Sequence, residues 1–474
     1  MQIYLTNTSS KSKELFRPIK KGNVGIYLCG PTVYGTPHIG NFRTFSWGDF
    51  IVRAFKYLGY KTKFVMNITD VGHLVGDGDD GADKVAKTAK ELGITPDQVA
   101  TKYTKQFLKH MSMLNLIKPN YMPKASEHIR EQINIIKELE KKGFTYIISD
   151  GVYFDTSKYK NYAKIFNIDL KKLMAGARVQ VNPQKKNPTD FALWKFSKNT
   201  KKQRLQEWDS PWGRGFPGWH IECSAMSAKY LGQPFDIHMG GEDHIFPHHP
   251  NEDAQSRCAF GKPLANYWIH IRYLNMSGGL KMSKSKGNVL TLDDIVNRGF
   301  EPLALRYYYM TSHYTSPVKF SWSALESSQV GLNNMRKTLK RWMDSKTKDI
   351  DTVPKELDEQ FKRALADDFN YPQALAFVWG LTKNPKYKVP QKRAALLKWD
   401  TVLGLKLAEY IEQKSGSKDL FVPKYVRLLV TKREKYRKEK KFDKADEMRK
   451  KLEELGYVVE DTPSGPIVTP IDNI

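Results

Sequence analysis

The sequence predicts an α/β fold: a doubly wound parallel sheet interrupted by an insertion, followed by a helix bundle and a small mixed α/β module. Three observations predict it. GIYLCG (Gly25–Gly30) is apolar and β-prone, and after Pro31 and Gly35 it leads through His38-Ile39-Gly40-Asn41 into a helical pattern over Gly40–Leu58. Strand and helix patterns alternate from Gly22 to about Leu116, as in open sheets with crossover helices. From Ala324 to about Gln413 the chain is strongly helical and poor in glycine, the pattern of a helix bundle.

The elements follow in order. Met1 to about Lys20 reads as an entry strand and turn, and Gly25–Cys29 and Lys63–Met66 as strands. The pattern changes at Lys118: a helix over Ser126–Lys142, short strands around Tyr146–Phe154, then a Lys/Asn-rich stretch to Trp208. The sheet resumes at Asp209 and runs to about Tyr273, and a basic loop with its supporting segment extends to about Trp322. Gln413–Asp419 (QKSGSKD) has the composition of a linker, and Leu420–Ile474 reads as a separate module. The expected divisions are 1–117, 118–208, 209–273, 274–323, 324–415 and 416–474.

Charge narrows the partners. With 77 Lys+Arg against 51 Asp+Glu the net charge is +26, which suggests a polyanionic partner, most simply nucleic acid. A generally basic, Lys-rich proteome is the alternative. No apolar run reaches the ~18 residues of a membrane span. The start, MQIYLTNTSSKSKELF, lacks the apolar core of a signal peptide and carries Glu14. Three cysteines cannot build a disulfide framework, so the expected compartment is a reducing cytoplasm.

Two short segments carry chemistry. His38–Asn41 (HIGN) opens a helix whose first N–H groups and positive dipole end suit a phosphate, and Gly40 allows close backbone approach. Lys281-Met282-Ser283-Lys284-Ser285 (KMSKS), beside Gly278, Gly279 and Gly287, is a basic loop suited to a triphosphate. Either segment alone also reads as a chance match or solvated surface. Together and in this order they resemble the two signatures of class I aminoacyl-tRNA synthetases. NITDVGH (Asn67–His73), KKNPTDFALWK (Lys185–Lys195), SPWGRGFPGWHIECSAM (Ser210–Met226) and FPHHPNEDAQS (Phe246–Ser256) extend the resemblance, across essentially the whole chain, to the cysteinyl-tRNA synthetase family.

The resemblance implies a Rossmann-like catalytic sheet with a connective insertion, activation of L-cysteine by ATP with Mg²⁺, and transfer to tRNA(Cys) by a cytoplasmic monomer. His38, Asn41, Lys281 and Lys284 become the catalytic residues, with Gly40 and Lys284 on ATP. Asn41 stands where the class consensus has histidine, and can still donate a hydrogen bond. By residue type alone, Cys29, Cys223, His248 and Glu252 read either as a soft–borderline donor set for zinc or as buried thiols beside a polar turn. His248 and Glu252 share one helix face, with Pro247 at that helix's start and Pro250 inside it. The family implies one zinc per chain there, binding the substrate sulfur. A metal–thiolate bond separates cysteine from serine further than pocket shape alone. Thr69, Trp219, His238 and Asp243 would line the amino-acid pocket by the same resemblance.

Cys258 fits no ligand role and is expected to be a buried free thiol. The acidic run Val75–Asp83 lacks the closing glutamate of a calcium loop. Lys424–Leu452 holds 13 Lys/Arg against 5 Asp/Glu and, by resemblance, belongs to a module approaching the anticodon. Two other readings share these motifs: a ligase that passes cysteine to a small amine, and a non-catalytic RNA-binding relative. The helical and basic C-terminal segments argue against the first, and the presence of both phosphate-binding segments argues against the second.

Overall fold

The computed structural model describes residues 1–72, 84–169, 182–197, 206–276, 282, 289–345, 352–415, 424–462 and 465–470. The chain forms two compact units. The first comprises Met1–Pro37, Trp47–Lys109 and Ile117–Tyr273; the second comprises His38–Ser46, His110–Leu116 and Leu274–Ile474.

The first unit opens with an antiparallel hairpin, β1 (Tyr4–Asn7) and β2 (Ser12–Leu15). Then come β3 (Asn23–Leu28), α1 (Ile39–Tyr57), β4 (Lys61–Met66), α2 (Lys84–Leu92) and α3 (Pro96–Met113), with Ile39–Ser46 of α1 and His110–Met113 of α3 belonging to the second unit. An insertion follows with α4 (Ile129–Lys141) and an antiparallel sheet, β5 (Thr145–Ile148), β6 (Gly151–Phe154), β7 (Phe191–Phe196) and β8 (Gly215–Pro217). The unit closes with α5 (Trp219–Leu231), β9 (Phe235–Gly241), α6 (His248–Phe260) and β10 (Ala265–Ile271). The parallel sheet has the order β10-β9-β3-β4. Its strands thus come from both sides of the insertion, and β3, central in this order, has Ile26, Tyr27 and Leu28 fully buried.

Two expectations change in detail. The helix expected over Ser126–Lys142 begins with a 3-10 turn, Ala125–His128, before α4. Asp70 accounts for this: its carboxylate accepts from Ser126 N at 2.9 Å and from Ser126 Oγ at 2.6 Å, tightening the entry. The expected linker Gln413–Asp419 begins inside a helix that runs to Ser415, and 416–423 lie outside the described residues. The acidic run Val75–Asp83 and the KMSKS lysines also lie outside them.

The second unit contains β11 (Leu274–Met276) parallel to β12 (Val318–Phe320), with α7 (Leu292–Asn297) and α8 (Pro302–Met310) between them. Thr291 and Asp294 close a capping box on α7. Helices α9 (Trp322–Asp344), α10 (Lys355–Ala366), α11 (Tyr371–Lys383), α12 (Val389–Leu403) and α13 (Leu407–Ser415) supply the helical region. Ser321 caps α9 and Asn370 caps α11 with their side chains. Last come α14 (Lys424–Lys438), α15 (Phe442–Glu454) and the hairpin β13 (Tyr457–Thr462) with β14 (Gly465–Pro470). They share a small core that includes Val426, Leu452, Leu455 and Val459. No helix among the described residues is long and apolar enough to cross a membrane.

Candidate active site

In the first unit, three elements deliver one polar cluster. Cys29 follows β3, with its N–H donating to Met239 O of β9 at 3.0 Å. Its neighbour Gly30 is a packing necessity, because a Cβ there would lie 1.7 Å from Asn67 O, while Gly30 N donates to Asn67 Oδ1 at 2.8 Å. Helix α5 supplies Cys223, and α6 supplies His248 and Glu252 one turn apart. Pro247 caps α6, and Pro250 falls in its first turn, where a missing N–H costs little.

Ligand atoms of Cys29, Cys223, His248 and Glu252 all lie within 4.8 Å of one another, and all four residues are buried. Glu252 Oε2 is 2.7 Å from His238 Nε2. Its Oε1 lies 2.9 Å from His248 Nε2 without a well-directed hydrogen bond. Burial alone would raise the Glu252 pKa, but His238 and His248 outweigh it and hold it at about 2. Burial would lower His248; Glu252 and Cys223 instead lift it to about 10. Burial, Cys223 and Glu252 push the Cys29 thiol up. The hydrogen bond from Cys29, helped by His248, brings Cys223 down against its burial. These shifts leave protons on the cluster that a bound cation would displace. Two thiols, an imidazole and a carboxylate converging without water access fit a zinc ion.

A second set shares two of these residues: Cys29, His238, His249 and Glu252 also converge within 4.8 Å. His249 Nε2 lies 3.5 Å from Cys29 Sγ, His249 Nδ1 lies 2.7 Å from His270 Nε2, and His270 Nδ1 lies 2.9 Å from Thr8 Oγ1. Burial, followed by neighbouring imidazoles, keeps His249 and His270 well below the usual imidazole range, and takes His244 to about 3. The reading from sequence missed His249, His270 and Glu222. Glu222 is fully buried and accepts from Thr69 Oγ1 at 3.2 Å. A carboxylate inside the apolar WHIECSAM run was the available signal.

The expected pocket residues divide. Thr69 is buried, between Asn67 Nδ2 at 3.0 Å and Glu222. Trp219 begins α5 with its ring 4.3 Å from that of His248, and His238 is fully buried against Glu252. Asp243 is exposed, in the 3-10 turn Glu242–Ile245, and accepts a hydrogen bond from Tyr273. Cys258 is a buried free thiol that burial pushes up to about 12.

In the second unit, His38 and Asn41 cap each other. His38 N donates to Asn41 Oδ1, and Asn41 N to His38 Nδ1, both at 3.1 Å, a capping box built from an imidazole and an amide. Asn41 thus uses its side chain as an acceptor in this turn. Ile39 N donates to Leu290 O at 2.8 Å, and Phe42 N to His38 O at 3.2 Å. Of the first four N–H groups of α1, only that of Gly40 has no acceptor among the described residues. A Cβ on Gly40 would lie 2.9 Å from His38 Nδ1, so the glycine also makes room for the cap itself. Lys281 and Lys284 lie outside the described residues.

Comparison with known proteins gives the class and then the family. The chain overlays methionyl-tRNA synthetase of Mycobacterium tuberculosis, solved with methionyl-adenylate, at TM-score 0.55 and 15% identity, over 83% of this chain and 91% of that one. Residues 15–330 match the family of tRNA synthetases class I (C) catalytic domains. Fold and catalytic region therefore define a class I aminoacyl-tRNA synthetase. Residues 423–465 match the cysteinyl-tRNA ligase anticodon binding domain. Cysteine–tRNA ligase 1 of Burkholderia lata is 44% identical over 465 residues, covering 98% of this chain and 96% of that protein. Cysteine–tRNA ligase of Treponema denticola is 41% identical over 487 residues, covering 97% and 98%. The chain belongs to the cysteine–tRNA ligase family.

Proposed function

We propose that the protein activates L-cysteine with ATP and transfers the cysteinyl group to the 3′ end of tRNA(Cys). The carboxylate oxygen of cysteine bonds to the α-phosphorus of ATP, the bond to the bridging oxygen breaks, and pyrophosphate leaves. A terminal hydroxyl of the tRNA then attacks the acyl carbon, and AMP leaves. The observation that carries the cysteine assignment is the buried convergence of Cys29, Cys223, His248 and Glu252.

These four residues would hold one zinc ion per chain. A bound zinc supplies a Lewis-acid site that favours a thiolate over a hydroxyl. Thr69, Trp219, His238 and Asp243 wall the amino acid and orient its backbone groups. His38 and Asn41, with the Gly40 N–H, hold phosphate oxygens, and Lys281 and Lys284 offset charge on the β- and γ-phosphates. Mg²⁺ accompanies ATP, held mostly by the phosphates. The segments 1–117 and 209–273 serve the first step with 274–323, the insertion 118–208 interrupts them, and 324–415 with 416–474 hold the tRNA. The family match of 423–465 supports the anticodon role of the last segment. The protein works as a monomer in the cytoplasm.

The test is ATP–pyrophosphate exchange with cysteine and with serine, before and after chelation. The expected result is exchange with cysteine alone, lost on stripping and restored by Zn²⁺. No exchange by fully metallated protein would overturn the proposal. Exchange that depends on Lys284 and vanishes in Lys284→Ala is the matching expectation for the basic loop.

A further inference from the structure

The second unit holds a buried hydroxyl directly behind the peptide that carries the Gly40 N–H. Tyr309, on α8, is 1% exposed, and its hydroxyl donates to Ile39 O at 2.6 Å. Ile39 C=O and Gly40 N–H belong to one planar peptide, which is trans, so the two groups point in opposite directions. A donor fixed on the carbonyl therefore fixes where the amide hydrogen points. It also polarises the peptide, making that N–H a stronger donor. The other end of the residue is held too, since Ile39 N donates to Leu290 O. One turn along α1, the fully buried Arg43 donates to His313 O at 3.0 Å and Ser316 O at 2.9 Å. The peptide is thus clamped by chain that follows the KMSKS segment.

From this geometry we infer that Tyr309 is a positioning residue of the phosphate-binding turn: it aims and polarises the Ile39–Gly40 peptide so that the Gly40 N–H meets the nucleotide phosphates. The inference rests on the reading of His38–Asn41 as the phosphate-binding turn. Burial keeps the Tyr309 hydroxyl protonated well above the ordinary phenol range, so the donor persists throughout the working pH range. A preorganised donor matters most where charge develops in the transition state. Its loss should therefore appear in kcat rather than KM.

The experiment compares Tyr309→Phe with Tyr308→Phe in the full-length metallated protein. Tyr308 loses a part-buried hydroxyl bond to a backbone carbonyl, Lys319 O at 3.0 Å, that does not touch the turn. In cysteine-dependent ATP–pyrophosphate exchange, Tyr309→Phe should lower kcat by about tenfold or more, below the ~100-fold cost of a 1 Å misplacement of a reacting group. KM for cysteine should not move, and Tyr308→Phe should keep wild-type kcat at a similar change in Tm. A Tyr309→Phe kcat within about twofold of wild type, or an equal loss in Tyr308→Phe, would overturn the inference. Absence of exchange in the wild-type protein would instead overturn the functional reading, and the inference with it.

Discussion

His238 and Glu252 hold each other in the interior: Nε2 and Oε2 are 2.7 Å apart, and neither side chain is exposed. The carboxylate that would face the metal therefore has a second anchor on β9. Partners of this kind fix a ligand's orientation and raise metal affinity.

His238→Ala should accordingly weaken zinc binding by about 10- to 100-fold. Competition against a chromophoric chelator measures it. Unchanged affinity would mean that His238 serves the amino acid alone.

Gly40→Ala should disrupt the His38–Asn41 cap, because the new methyl group would meet His38 Nδ1 at 2.9 Å. Asn41→Ala removes one side of the same cap, an effect of about 1 kcal/mol on the helix start. We expect Gly40→Ala to lose more exchange activity than Asn41→Ala. The two exchange rates, read beside the two melting temperatures, check the order.

Arg306 is fully buried and donates to Leu403 O at 2.6 Å, Leu114 O at 3.1 Å and Asn115 O at 3.3 Å. Arg306→Met would strip three carbonyls of their donor. At 1–3 kcal/mol for each buried group left unsatisfied, the loss should be on the order of 3 kcal/mol or more. Urea denaturation would register it as a lower midpoint; an unchanged midpoint would refute it.

Asp461 ties the C-terminal hairpin to α14. It receives Arg433 bidentately at 2.8 Å, and Arg433, helped by Arg437, lowers its pKa from 3.8 to about 2. A depressed carboxylate stabilises the fold above its unfolded pKa and loses that contribution as pH falls through its folded one. Protection of α14 amides should thus decline between about pH 4 and pH 2. Asp461→Asn should flatten that decline. The effect should be small, since the carboxylate is 42% exposed and solvent screens it. Hydrogen exchange corrected for intrinsic rates reads it directly.

Much of this was legible in the chain because it depends on local pattern. The apolar run through Leu28 and the glycine-poor helices after Ala324 carry their pattern in the sequence. Cys29, Cys223, His248 and Glu252 were legible as a candidate donor set by type and by family resemblance, and the fold brings the four together. What the sequence hid was pairing across distance. Nothing beside His249 points to His270 or Thr8, since β10 and the turn after β1 bring them together only after folding. Thr69 and Glu222 meet for the same reason. Asn41 as an acceptor and Gly40 as room for the His38 ring are backbone facts that a four-letter motif does not display.

The strand order β10-β9-β3-β4 also dictates a schedule. Cys29 and the two earlier strands of this sheet, β3 and β4, leave the ribosome long before Cys223, His248 and Glu252, which arrive only after the whole insertion has been synthesised. A nascent chain cannot close its sheet against β9 before that moment, and such non-local pairing is slow. A zinc ion held by these four residues would therefore engage only once residue 252 of the 474 has emerged, so zinc starvation should leave chains past their midpoint unlocked rather than the youngest ones.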